Sequence, residues 1–320
     1  MDQPASPPAS LTTPATAPRQ RKPRVWHLFA LLVLSQVLLM VIVTVVVATL
    51  AFSRGQIDGQ TPPAQVNRAV ADLFRSHQIG FVGLAVNAGL GVALALLIGW
   101  RSPARFAQRL RLGAGRLTAV EVAVATLGFV AFSWGFDELQ RYLPGYDQSS
   151  IHYLRDMVRD RAVASLPVMV AMLALAVPLS EELVYRGALQ TRFAERFGGR
   201  LGLVIASLCF GIAHMDPLHG LFAFFAGLYL GWVCDLATSL RAPFVMHAVN
   251  NLAAVVGATS LPEADEQSPS WWVMGVSLAL SAVCIRWLWR RTRERLRPDV
   301  ESPASSTPEI VTPPVPADAN

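Results

Sequence analysis

The feature that most constrains this chain is the uncharged apolar run Leu28–Leu50. It is long enough for a helix that crosses a hydrocarbon core, which takes roughly 20 residues. It exceeds the about 7–15 residues of a signal-peptide core and reads as an uncleaved first span. Further runs fall near 80–100, 117–136, 162–180 and 242–260, with shorter ones near 200–214, 218–234 and 271–289. Inside a bilayer every backbone polar group must be satisfied internally, so runs of this kind are helices. The expected fold is therefore all-α, a polytopic membrane helix bundle with about eight transmembrane helices. Composition agrees. Of 320 residues 53% are hydrophobic and only 15% charged, with a mean hydropathy of +0.41. A water-soluble domain carries about 25% charge.

The net charge of +5 comes from 27 basic residues, of which only Lys22 is a lysine. That codon usage points to a GC-rich bacterial source. In a membrane protein such an excess sets topology, and no nucleic-acid partner is expected. The 101–116 connection holds Arg101, Arg105, Arg109, Arg111 and Arg116 without an acid. The 181–200 connection holds Arg186, Arg192, Arg196 and Arg200, and Arg290, Arg291, Arg293, Arg295 and Arg297 follow the last run. The 137–161 connection mixes both signs, while 261–270 contains Glu263, Asp265 and Glu266 and no base. This alternation predicts a multi-pass protein of the cell (inner) membrane, its partner the lipid bilayer, with both termini cytoplasmic. The tails, 1–25 and 297–320, are rich in Pro, Ala, Ser and Thr and are expected to be disordered. Cys209, Cys234 and Cys284 sit in apolar runs and read as small packing residues. The Gly227/Gly231 pair suggests a close helix contact.

Ionisable groups inside spanning segments are costly and usually functional. One dense set occurs here: Glu181, Glu182 and Arg186, then His214, then His247, Asn250 and Asn251. Glu121 lies about one turn from a cytoplasmic end and is expected to reach the interface. His219, beside Pro217, reads as a surface residue, and His27, His77 and His152 fall outside the set. Residues 162–196 can run as one long helix that returns after a turn at Phe197–Gly198. Glu181 and His214 are equidistant from that turn, both roughly 22–25 Å from its tip at 1.5 Å per residue. The spacing thus brings a carboxylate and an imidazole together inside the bilayer.

Glu182 and Arg186, four residues apart, share a helix face and are expected to pair. Glu181 points about 100° away and stays free to act as a base. Pro178 frees a carbonyl and can open the helix, which is tolerated only in a protein-lined or wet cavity. His247 and Asn251 project together from a helix that Pro243 begins, and Asn250 is offset as a packing contact. Glu181, His214 and His247 would supply a zinc set with an open fourth position. Carboxylate, imidazole and amide would equally hold a catalytic water without a metal. A network that only locks helices together would need Glu182 and Arg186 but neither the second acid nor the histidines.

These residues form a recognisable pattern. Glu181-Glu182-Leu-Val-Tyr-Arg186 resembles the EExxxR motif of the CPBP family, the CAAX proteases and bacteriocin-processing enzymes. Phe210-Gly-Ile-Ala-His214 resembles its FxxxH motif, and His247-Ala-Val-Asn250-Asn251 its HxxxN motif. The resemblance spans roughly 160–258 and implies an eight-helix intramembrane endopeptidase with a cavity open to the cytoplasm. Together with the tails and apolar runs, the chain is expected to divide into the tail 1–25, transmembrane helices and loops at 26–161, a catalytic core at 162–260, a last transmembrane helix with a basic end at 261–296, and the tail 297–320.

By motif, the resemblance implies that Glu181 activates water and His214 helps to position it. His247 and Asn251 would bind water or stabilise the oxyanion, and Glu182 and Arg186 would support the site. The family's enzymes are described both as metalloproteases and as metal-free glutamate enzymes, so a divalent metal such as zinc stays open. The implied substrate is a membrane-associated peptide or protein. The alternative is a non-proteolytic membrane scaffold or bacteriocin self-immunity protein. A proton-coupled transporter would also use buried acids and histidines, but no internal repeat accompanies them.

Overall fold

The computed structural model describes residues 24–74, 76–160, 165–260 and 270–295. Both tails apart from Arg24 and Val25, the start of the 162–180 run and the acidic 261–266 stretch lie outside the described residues. All described regular structure is helical. The elements are α1 (Trp26–Ser53), α2 (Pro63–Phe74), α3 (His77–Trp100), α4 (Phe106–Arg109), α5 (Ala119–Gln140), α6 (Ser150–Arg159), α7 (Leu166–Phe197), α8 (Gly199–Ile212), α9 (Pro217–Ala237), α10 (Arg241–Ser260) and α11 (Trp271–Arg295).

Each apolar run read from the sequence is a helix. Among the described residues, six of them (α1, α3, α5, α7, α9 and α11) are long and apolar enough to cross a membrane. The other two differ for distinct reasons. At 14 residues α8 reaches only about 21 Å, short of a full span. At 20 residues α10 is long enough, but Arg241, His247, Asn250 and Asn251 dilute its apolar character. Conversely, α9 and α11 are longer than the short runs that announced them. Val33, Leu34, Val41 and Val45 of α1 are exposed, the arrangement of a helix that faces lipid.

Of the four buried apolar clusters among the described residues, two are the largest. One joins α1, α3, α7 and α8 around Leu94, Leu189, Phe193 and Phe210. The other joins α5, α9, α10 and α11 around Phe129, Leu230, Met246 and Leu288. The Gly227/Gly231 pair does mark close packing, since a Cβ on Gly227 would touch Ser207 of α8 at 3.0 Å. Cys234 and Cys284 are buried, Cys209 is partly so, and all three are free thiols.

The helices have two chemically different ends. At the basic end, Arg109 pairs with Glu195 (2.8 Å), Arg111 with Asp235 (2.7 Å) and Arg295 with Glu121 (2.6 Å). Here the 101–116 connection is stitched to the α9–α10 turn, with the Arg116 N–H donating to Ala237 and the Leu240 N–H to Arg111, each at 2.9 Å. Glu121 also completes a capping box with Thr118 at the start of α5, so its role is structural. At the opposite end, α6 closes against α3 and α5. His77 meets Asp160 at 3.0 Å, and Arg155 meets Asp137 at 3.0 Å. Tyr146 donates to Asp137 at 3.0 Å; burial, reinforced by the Asp137 charge, pushes its phenol well above the usual value and keeps it a donor.

Candidate active site

The EExxxR segment lies on α7, and α7 is not a uniform helix. Two stretches, Val170–Ala176 and Leu183–Gln190, are wound as π-helix on either side of Glu181 and Glu182. Such widened turns are frequent at functional sites. Pro178 explains part of the first. The Val177 N–H reaches back five residues to the Met172 carbonyl. The next carbonyl in that register, Leu173, would need the N–H of Pro178, which does not exist. Asn251 of α10 fills the gap, its Nδ2 donating to Leu173 O at 2.9 Å. The freed carbonyl expected ahead of the glutamates is thus tied to the third motif.

Gly198 turns α7 into α8 with φ +92°, a conformation open to glycine and strained for other residues. The hairpin register is the one the sequence implied. Tyr185 and Phe210, equidistant from the turn, touch with ring centroids 4.8 Å apart. The Arg186 guanidinium lies over the Phe210 ring at 4.5 Å, and the His214 ring meets Phe210 edge-on at 4.9 Å. Phe210 is therefore more than a motif letter. It takes up the face of a buried cation and braces the histidine one turn away.

The expected Glu182–Arg186 pair is present at 2.9 Å, with side-chain exposures of 0% and 2%. His247 joins it, its Nδ1 2.9 Å from the same Glu182 oxygen. Its other nitrogen, Nε2, lies 3.6 Å from Glu181 Oε2. An ionised carboxylate only accepts hydrogen bonds, so Glu182 holds a proton on Nδ1, and Nε2 is the nitrogen that faces Glu181. His214 is oriented in the same sense, because its Nδ1 donates to the Phe210 carbonyl at 2.8 Å and Nε2 is its other nitrogen.

Glu181, His214, His247, Asn250 and Asn251 all line one cavity of about 990 Å³. Asn250 is buried and reaches Asn251 Oδ1 at 3.4 Å, so it supports its neighbour. His219 departs from the surface role read for it. It is partly buried, lines the cavity, meets His214 with ring centroids 4.2 Å apart and planes tilted by 56°, and lies 2.9 Å from the Ser150 hydroxyl. The signal was present in Asp216-Pro217: an aspartate that caps α9 by accepting from the His219 N–H (2.7 Å) fixes His219 in the first turn, beside the end of α8. His27, His77 and His152 contribute nothing to the cavity wall.

Both site imidazoles engage Nδ1 in a hydrogen bond and leave Nε2 for another partner. Yet among the described residues no group of three or more His, Cys, Asp or Glu side chains is placed to hold a metal ion. Glu181 and His247 meet, whereas His214 is turned to Phe210 and His219. Glu181, His214 and His247 are thus not gathered as a His₂Glu set among the described residues.

The fold and its interior together define a polytopic helical membrane protein with a carboxylate–imidazole centre buried between α7, α8 and α10. Residues 163–253 match the family described as Rce1-like, type II CAAX prenyl endopeptidases, and this segment carries all three motifs. The resemblance read from the motifs is thereby shown over the part of the chain that forms the centre. No curated protein and no solved structure matches the chain.

Proposed function

We propose that the protein is an intramembrane endopeptidase that hydrolyses a peptide bond of a membrane-associated peptide or protein through a glutamate-activated water. The observation that carries this reading is the position of His247 between the two adjacent carboxylates, at 2.9 Å from Glu182 and 3.6 Å from Glu181, on the wall of a large cavity. A water at hydrogen-bond distance from both Glu181 Oε2 and His247 Nε2 sits at the apex of a triangle on that 3.6 Å base. Glu181 takes a proton from the water as its oxygen attacks the scissile carbonyl, and gives that proton to the leaving amine as the C–N bond breaks. His214, with Nδ1 held by Phe210, orients the water or substrate through Nε2. Asn251 has one amide N–H committed to Leu173 and a second to offer the developing oxyanion. Glu182 and Arg186 fix His247 and do not touch the substrate. The membrane is the cytoplasmic membrane, with the basic end of the bundle and both termini in the cytoplasm.

The test compares new protein termini in membranes carrying the wild type or Glu181→Gln. Termini found only with the wild type establish proteolysis and name its substrates. Chelator and metal add-back on those same cuts decide the metal. If no termini differ while Glu181→Gln still complements a deletion, the endopeptidase reading fails and a scaffold or immunity role replaces it.

A further inference from the structure

The cavity is not symmetric between the two ends of the bundle. Apart from the motif residues, the charged side chains that line it are Asp137, Glu138, Arg141, Arg155 and Arg159, all from the α5 terminus and α6 at the end opposite the basic belt. Ser150, Ser270 and Trp272, also at that end, complete its mouth. Among the described residues, the basic-end side chains Arg109, Arg111, Glu195, Asp235 and Arg295 do not line it. Between Glu181 and that belt α7 is sealed: Ala188, Leu189 and Phe193 are fully buried. Gln190 bridges to Gly231 O at 3.0 Å. A polypeptide chain thus has a polar way to Glu181 from one end and a packed plug at the other.

The charge pattern says which end is which. Arg101, Arg105, Arg109, Arg111 and Arg116 without an acid, together with Arg200, Arg241 and the arginines that end α11, all fall at the plugged end. The connections at the open end mix both signs in sequence: Arg54, Arg68 and Arg75 with Asp58 and Asp72, and Arg141, Arg155, Arg159 and Arg161 with Asp147, Asp156 and Asp160. In the sequence, Glu263, Asp265 and Glu266 join them without a base. Short basic connections stay in the cytoplasm.

From these two observations we infer that the catalytic cavity opens to the non-cytoplasmic side of the membrane. The substrate class is then a polypeptide segment that reaches the site from outside: a translocated peptide, or an outward loop or tail of a membrane protein. This deepens the endopeptidase reading and rests on it. It also reverses the cytoplasmic opening that the motifs alone imply.

Accessibility to a charged, membrane-impermeant methanethiosulfonate reagent tests the geometry without any need for turnover. The full-length chain carries single cysteines in a background in which Cys209, Cys234 and Cys284 are each replaced by Ala. Asp147→Cys marks the open end, Arg200→Cys the basic end, and Gly257→Cys and Ala213→Cys the cavity wall, Gly257 having open space around an added Cβ. In right-side-out vesicles Asp147→Cys and at least one cavity cysteine are expected to react, and Arg200→Cys is not. In inside-out vesicles the pattern inverts. Reaction of both cavity cysteines from the cytoplasmic side only, or from neither side, overturns the inference whatever the enzyme assay shows. If instead the accessibility pattern holds and no Glu181-dependent termini exist, the endopeptidase reading fails and the outward-facing cavity stands. Where both hold, the new termini are expected in segments outside the cytoplasm, and cuts confined to cytoplasmic segments overturn the substrate class.

Discussion

Nδ1 of His247 lies 2.9 Å from Oε1 of Glu182, the oxygen that also receives the Arg186 guanidinium at 2.9 Å. One buried carboxylate thus serves two cations or donors, and its neighbour Glu181 is left with cavity access. Two adjacent glutamates on one helix therefore differ in kind. Replacing Glu182 by Gln is expected to destabilise the protein by about 3–5 kcal/mol, because it strands Arg186 without its counter-charge. Replacing Glu181 by Gln is expected to leave stability close to wild type while cleavage falls by at least about 10²-fold. Unfolding of the purified chain in detergent, read beside substrate cleavage, separates the two outcomes.

Asn251 and Pro178 are expected to be coupled although they lie on different helices. Asn251→Ala leaves the Leu173 carbonyl without its donor, a loss of about 1–3 kcal/mol. Pro178→Ala restores the backbone N–H that the widened turn lacks, so the same Asn251→Ala change costs less in that background. A double-mutant cycle on unfolding stability should show a coupling of about 1 kcal/mol or more. Additive losses would mean that the amide does not satisfy the carbonyl.

Gly211, inside the second motif, faces Gly220 of α9. A Cβ at Gly211 would lie 2.6 Å from the Gly220 carbonyl oxygen, and backbone has no rotamer with which to escape. Gly211→Ala is expected to part α8 from α9 and cost about 1–3 kcal/mol. Gly257→Ala meets nothing within 4 Å and is expected to be neutral or mildly stabilising, since alanine favours helix. Thermal unfolding of the two variants side by side checks the contrast.

Glu121 is an intramembrane acid with no part in the centre. It accepts two Arg295 hydrogen bonds, at 2.6 and 3.1 Å, and caps α5. Glu121→Gln is expected to lower stability by about 1.5–3 kcal/mol, the worth of charge-assisted hydrogen bonds, and to leave the cleavage rate per folded molecule unchanged. A drop in that rate at full stability would show that the basic end communicates with the site.

Much of this protein is legible in one dimension because a bilayer removes the alternatives. Runs such as Leu28–Leu50 and the 80–100 segment can only be helices. The turn at Gly198 follows from a glycine between two helical runs, and the pairing of Glu182 with Arg186 from helical periodicity. Periodicity also brings Tyr185 against Phe210. Interactions between elements far apart in the chain were not legible. Nothing local to Asn251 says that it mends the carbonyl stranded by Pro178, and nothing local to His247 says which of two neighbouring acids its Nδ1 will meet. His219 lies at the cavity and not on the surface because the α8–α9 corner brings it against His214, a matter of how two helix ends meet. The opening of the cavity was decided the same way. Charge counting fixes which end of the bundle faces the cytoplasm, but whether that end is plugged depends on Leu189, Gln190 and Phe193 packing against partners on other helices, and side-chain packing between distant segments has no period to read in the sequence.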